Sequence, residues 1–173
     1  MRQLYVETKL ALKRGIENPV DREDLIEQVQ QEALTLLEHE DITEQQIHQL
    51  WATTSEDYFI HESAKSIAWH TKNIILKDSN EDSIILINKT TLRLFEGASS
   101  LFIYTKNTDN LFATIVATLD QLSLSIQDAR IYPTEGEYTF SSYTILTQEN
   151  KSIPDSPDVL NEIIETIRSM LST

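Results

Sequence analysis

The chain has 173 residues, no cysteine, and 28 acidic against 14 basic residues, for a net charge of −14. Such a surface repels phosphate backbones and anionic lipid, which argues against nucleic-acid and membrane-surface partners, since only Lys9, Lys13 and Arg14 gather as a basic cluster. Without cysteine there are no disulfides, thiolate nucleophiles or thiolate metal sites, and 40% hydrophobic with 24% charged residues suits a chain with a real core.

In chain order, Leu4, Tyr5, Thr8 and Leu10 to Leu12 fall near helical spacing, with Lys13 and Arg14 in the last turn and Gly15 as the stop. Asn18-Pro19 is a break, and Asp21 has the character of an N-cap for a second helix. That helix carries Leu25, Ile26, Val29, Ala33, Leu36 and Leu37 on one side and a Gln- and Glu-rich face opposite. Thr43-Glu-Gln-Gln46 has the form of a capping box, opening a short helix with Ile47, Leu50 and Trp51 inward. Tyr58-Phe59-Ile60 is an apolar knot after Ser55-Glu56-Asp57. Ser63 then caps a fourth helix through Leu76, whose buried stripe is Ala64, Ile67, Ala68, Ile74 and Ile75. Residues 1–77 thus read as an all-α segment.

Lys77 to Asp82 is polar and turn-prone, the expected boundary before a second unit over 83–173. Ser83 to Asn88 is an apolar run of strand length, while Lys89 to Ala98 reads equally as a strand or a core cover. Leu101 to Thr105 follows as a strand, with Phe102 and Tyr104 pointing one way and Leu101, Ile103 and Thr105 the other. Next come a helix over Asn110 to Leu122, strands over Ser125 to Tyr132 and Tyr138 to Leu146, and a turn at Glu135-Gly136-Glu137. Ser156 and Pro157 open a last helix whose apolar face is Val159, Leu160, Ile163, Ile164, Ile167 and Leu171. The fold class is therefore α+β: a helical segment, then a βαββα series one strand short of the ferredoxin-like unit.

Few patterns carry chemistry. Gly15, Gly97 and Gly136 are too scattered for a phosphate-cradling loop. His39, His48, His61 and His70 form no His-x-x-x-His or His-Glu-x-x-His pair, no His precedes Asp, and no serine has a nucleophile-elbow context, so neither a catalytic residue nor a metal site is expected. His70, beside Trp69, is best read as hydrogen-bonded within the helical layer. The pairs Glu135/Glu137 and Asp155/Asp158 are explained by a solvated turn and a helix N-terminus. No apolar run approaches the roughly 20 residues of a membrane span and the N-terminus is no signal peptide, so a cytoplasmic setting is expected.

The loop Lys106 to Asn110 remains. It joins a strand to a helix beginning Leu111-Phe112, and a helix N-terminus offers unpaired N–H groups and a positive dipole end to a small carboxylate ligand. Asn107, Asp109 and Asn110 supply polar groups, Asp109 favouring an α-ammonium, and the strand residues Gln127 and Asp128 are expected to face the same region. The competing reading makes Thr108 or Asp109 a plain helix cap and Leu111 and Phe112 core residues.

Leu101-Phe-Ile-Tyr-Thr105, Phe112-Ala113, Leu119-Asp120, Leu122 and Ser125-Ile126 with Asp128-Ala129 and Ile131 resemble an ACT domain. Arg2-Gln-Leu-Tyr5, Ala11 to Pro19, Asp57-Tyr-Phe59 and Ile67-Ala-Trp-His-Thr71 resemble the stretch between the HD domain and the ACT pair of bifunctional PII uridylyltransferase/uridylyl-removing enzymes. The resemblance covers nearly the whole chain and implies a regulatory piece. Glutamine would be the effector sensed by the ACT domain, the PII protein the partner of the parent enzyme, and ACT–ACT pairing or a homodimer the assembly. The family's catalytic parts, which need Mg2+, have Gly-Ser and His-Asp motifs that are absent here, so this segment is expected to be non-catalytic and without a cofactor of its own. The alternative is a protein-docking module with no small-molecule ligand. Two departures stand out: Asn107 and Asp109 replace an Asp-x-Pro pattern, and the sequence stops at Thr173, before the domain's usual last strand. Ser83 to Asn88 is expected to fold back antiparallel into the slot beside Leu101 to Thr105.

Overall fold

The computed structural model describes residues 19–77, 83–89 and 97–172. The expected first helix, most of the boundary segment and the ambiguous stretch after Lys89 lie largely outside them. Four helices come first: α1 (Pro19–Leu36), α2 (Glu44–Ala52), α3 (Glu56–His61) and α4 (Ala64–Ile75). Then follow β1 (Ser83–Lys89), β2 (Ser99–Lys106), α5 (Leu111–Gln121), β3 (Leu124–Pro133), β4 (Tyr138–Thr147) and α6 (Pro157–Leu171).

Local signals set most of the helix ends. The Thr43 capping box forms in full, with the Gln46 N–H donating to Thr43 Oγ1 and the Thr43 N–H to Gln46 Oε1. Ser55 and Ser63 accept from the first turns of α3 and α4. Ser156 precedes α6 with Pro157 at the first helical position, although its hydroxyl makes no capping bond. The expected N-cap at Asp21 is corrected: α1 begins at Pro19, whose missing N–H costs nothing there, and Asp21 sits in the first turn as a dipole partner. The apolar side of α1 is also narrower than its leucines suggest. Ala33 and Leu37 are buried and Ile26, Val29 and Leu34 pack against them, whereas Leu25 and Leu36 are exposed.

The strands form one antiparallel sheet in the order β1-β2-β4-β3. Within it β2-α5-β3-β4-α6 is the βαββα series of an ACT-like, ferredoxin-like unit. The outer slot beside β2 is filled by β1, in a register running from Ser83↔Thr105 to Lys89↔Ser99. The expected fold-back is therefore observed, and β2 has a neighbour on both sides.

Alternation along the strands divides the molecule into three layers. Phe102, Tyr132 and Phe140 face α1 to α4 and join Ala33, Leu37, Ile47, Trp51, Tyr58, Phe59, Ile67 and Ile74 in one core. Leu101, Ile103, Tyr143 and Ile145 face α5 and α6 and join Ile115, Leu119, Ile163 and Ile167 in a second. The sheet is thus covered on both faces, and the helical segment shares its core with the sheet.

Candidate functional site

At the end of β2, Lys106 pairs with Tyr138, and the Asn107 N–H donates to the Glu137 carbonyl at 2.7 Å. This ties the loop to the β3–β4 turn. Residues 107–110 are all exposed. The Leu111 N–H donates to the Thr108 carbonyl at 3.2 Å, and Asn110 takes the N-cap position in the left-handed region, φ 63 and ψ 22. Its carbonyl accepts from the Thr114 N–H at 2.9 Å, but no side chain caps α5. Neither Thr108 nor Asp109 serves as the cap, so the first-turn N–H groups of this helix meet no side-chain acceptor. Leu111 packs into the second core, whereas Phe112 is 44% exposed with its ring stacked on Tyr143, centroids 6.4 Å apart.

Asn107, Asp109, Asn110, Leu111 and Phe112 therefore share one end of the sheet. Gln127 and Asp128 do not join them, which corrects the expectation. The end of β3 beside the loop is Pro133, opposite Thr139, whereas Asp128 is opposite Thr144 and Gln127 is the extra residue of a bulge. Five strand steps separate Asp128 from Pro133, roughly 17 Å. Asp128 also faces the helical layer, where it pairs with Arg130 at 3.4 Å.

What sequence reasoning passed over lies beneath α5. Thr105, Thr139, Ser141 and Tyr143 share the sheet face that carries Leu101 and Ile103, and Thr105 is directly opposite Thr139. They are 6%, 5%, 2% and 1% exposed. Ser141 Oγ reaches the Ile103 carbonyl at 3.5 Å and lies beside the Tyr143 hydroxyl. Burial pushes the Tyr143 pKa up, with Ser141 opposing the rise. The signal was present in the run Tyr-Thr-Phe-Ser-Ser-Tyr, whose alternation puts three hydroxyl residues on one face.

The opposite face of the sheet holds a polar seam. The Tyr58 hydroxyl and His70 Nδ1 are 2.8 Å apart, and the His70 ring stacks on Phe102 at 3.6 Å. His70 is hydrogen-bonded within the helical layer, as its place beside Trp69 suggested. Desolvation drives its pKa down to about 3. Glu62, at the α3–α4 junction, has its pKa raised by burial, against the pull of Ser142 and Arg130. An open cleft of about 570 Å³ also lies on this side, between α1, the α2–α3 connection and the β3–β4 turn. Glu23, Glu27, Glu56 and Glu135 line it with no basic residue, which makes it unsuited to a carboxylate ligand. Among the described residues no histidine and carboxylate cluster could hold a metal ion, and no helix is long and apolar enough to cross a membrane.

Residues 21–73 match the family model described as the uridylyltransferase GlnD fifth domain. The chain is 44% identical over 165 residues, 95% of its length, to the bifunctional uridylyltransferase/uridylyl-removing enzyme of Pseudomonas aeruginosa. It is 40% identical over 171 residues to that of Pseudomonas putida and 39% identical over all 173 to that of Pseudomonas entomophila. It spans under a fifth of these relatives, 18% of the first and 19% of the others. No solved structure matches. Nearly the whole of this chain is thus similar to one stretch of the bifunctional uridylyltransferase/uridylyl-removing enzymes, the family it resembles on its motifs.

Proposed function

We propose that this chain is the regulatory part of a uridylyltransferase/uridylyl-removing enzyme, an ACT domain that senses glutamine and so controls uridylylation and deuridylylation of the PII protein in nitrogen regulation. The observation that carries this reading is the open N-terminus of α5, where no side chain caps the helix and the loop 107–110 stands exposed beside it. Backbone N–H groups there suit the ligand's α-carboxylate, and Asp109 suits its α-ammonium. Asn107 and Asn110 add hydrogen bonds, and Leu111 and Phe112 flank the bound molecule. Because the sheet shares a core with α1 to α4, a ligand that reorders this end of β2 strains contacts reaching the helical layer. The catalytic chemistry and its Mg2+ belong to other parts of the parent protein.

Calorimetric titration of glutamine, with glutamate and asparagine as controls, tests the reading. Saturable, glutamine-selective heat is expected, weakened at least tenfold by Asp109→Ala. Absence of heat with all three amino acids would defeat it. The docking-module reading would then gain ground, and it draws on the exposed Phe112 and Ile131.

A further inference from the structure

We propose that the open cleft between α1, the α2–α3 connection and the β3–β4 turn docks a cationic segment of a partner protein, an arginine or lysine set beside an apolar residue. The inference does not depend on the glutamine reading, which concerns the N-terminus of α5. The cleft measures about 570 Å³, and Ile26, Trp51, Phe59 and Pro133 give it apolar walls. These walls are fixed by packing and hydrogen bonds. The Trp51 indole donates to Thr71 Oγ1 at 3.0 Å, and its ring meets Phe59 edge to face with centroids 5.5 Å apart. The Glu135 N–H donates to the Thr53 carbonyl at 3.0 Å, which pins the turn to the α2–α3 connection. The cleft is therefore a built depression held between the helical layer and the sheet.

Charge complementarity selects the occupant. Glu23 and Glu27 on α1, Glu56 at the start of α3 and Glu135 in the turn come from three separate parts of the fold to one rim, with no basic residue in the lining. Arg22 lies outside it, paired with Glu56 and Asp57. The C-terminus of α2 adds the negative end of a helix dipole, and no basic residue stands in its last turn. Lysine and arginine suit such a place, because their stems lie along apolar walls while their charged heads reach the rim. An open cleft leaves a small molecule half in water, whereas a chain segment running through it continues its contacts on either side. A second copy of this chain, at −14, is repelled. The same turn accepts from Asn107 through the Glu137 carbonyl, so a docked segment touches the element that anchors the loop 107–110.

The probes are the peptide acetyl-Leu-Arg-Leu-Lys-amide and its counterpart with glutamine in place of arginine and lysine, titrated separately into the 173-residue chain and followed in 15N–1H spectra. The charged peptide should shift the amides of Ala52, Thr54, Glu56 and Glu135 saturably, and the neutral one should leave them in place. Glu27→Gln combined with Glu135→Gln should weaken the charged peptide at least fivefold. Glu162→Gln combined with Glu165→Gln removes the same charge from α6, across the sheet, and should leave the affinity unchanged. Equal weakening by the two pairs, or shifts scattered over the surface without saturation, would assign the binding to net charge and overturn the cleft. Binding seen only after Lys9, Lys13 and Arg14 are all changed to Gln would make the chain's own basic cluster the competitor and overturn the partner segment.

Discussion

Burial sets the charge state of two side chains at the seam between helices and sheet. His70 has its pKa lowered from 6.5 to about 3 by desolvation, so between those values the unfolded chain binds a proton that the folded chain refuses. Stability present above pH 6.5 is therefore lost on acidification, by about 1.4 kcal/mol for each pH unit in that window. Urea unfolding at pH 7 and pH 4.5 checks this. In His70→Gln the acid-induced loss should shrink by about 2 to 3 kcal/mol, and an unchanged loss would assign the effect to other groups. Glu62 works in the opposite sense. Its carboxyl is raised above 4.5 by burial, so the folded chain binds that proton more tightly and the stabilisation is lost as pH rises through the raised value. Glu62→Gln should therefore gain on the wild type as pH climbs from 4.5, then hold a constant lead. Parallel thermal melts across pH 4 to 8 would show it, and a pH-independent difference would contradict it.

The caps at Thr43 and Ser63 and the strand alternation were legible because each is local: Thr43 to Gln46 closes its box through bonds three residues apart, and Phe102 and Leu101 go to opposite cores by the pleat alone. Replacing Thr43 by Ala should cost about 1 kcal/mol in chemical denaturation. Gly97 precedes β2 with φ +85, and an added Cβ would lie 2.7 Å from Ser152 Oγ. Gly97→Ala should therefore cost about 1–2 kcal/mol, mostly from the left-handed backbone, and an unchanged denaturation midpoint would contradict that. The candidate site was harder to read for a geometric reason. The loop and α5 follow one another in sequence, so Asn107 to Phe112 were found together. Gln127 and Asp128 were misplaced because which end of β3 borders the loop depends on antiparallel register and a bulge, and neither is visible in composition. The buried pair Thr105 and Thr139 escaped notice because Thr105 on β2 meets Thr139 on β4 only once the sheet is assembled.

The two cores back onto the same four strands, so neither is complete without the sheet between them. Trp51 and Trp69 both belong to the helical layer, whereas the strands dominate the second core. Tryptophan fluorescence and far-ultraviolet circular dichroism should therefore trace coincident urea transitions, and separate midpoints would show the halves unfolding independently. Removing residues 1–77 should leave Phe102, Tyr132 and Phe140 uncovered, and the remaining piece is expected to aggregate. The placing of β1 also bears on how quickly the molecule assembles. When a ferredoxin-like sheet takes its outer strand from the far end of the domain, that pairing must wait until the whole intervening chain has been gathered. Here the outer strand precedes β2 and pairs with it as a neighbour along the chain, from Lys89↔Ser99 to Ser83↔Thr105. The entropy of closing that loop is small, so the hairpin forms early and gives β4 a ready template, and the chain should refold faster than its number of strands would suggest.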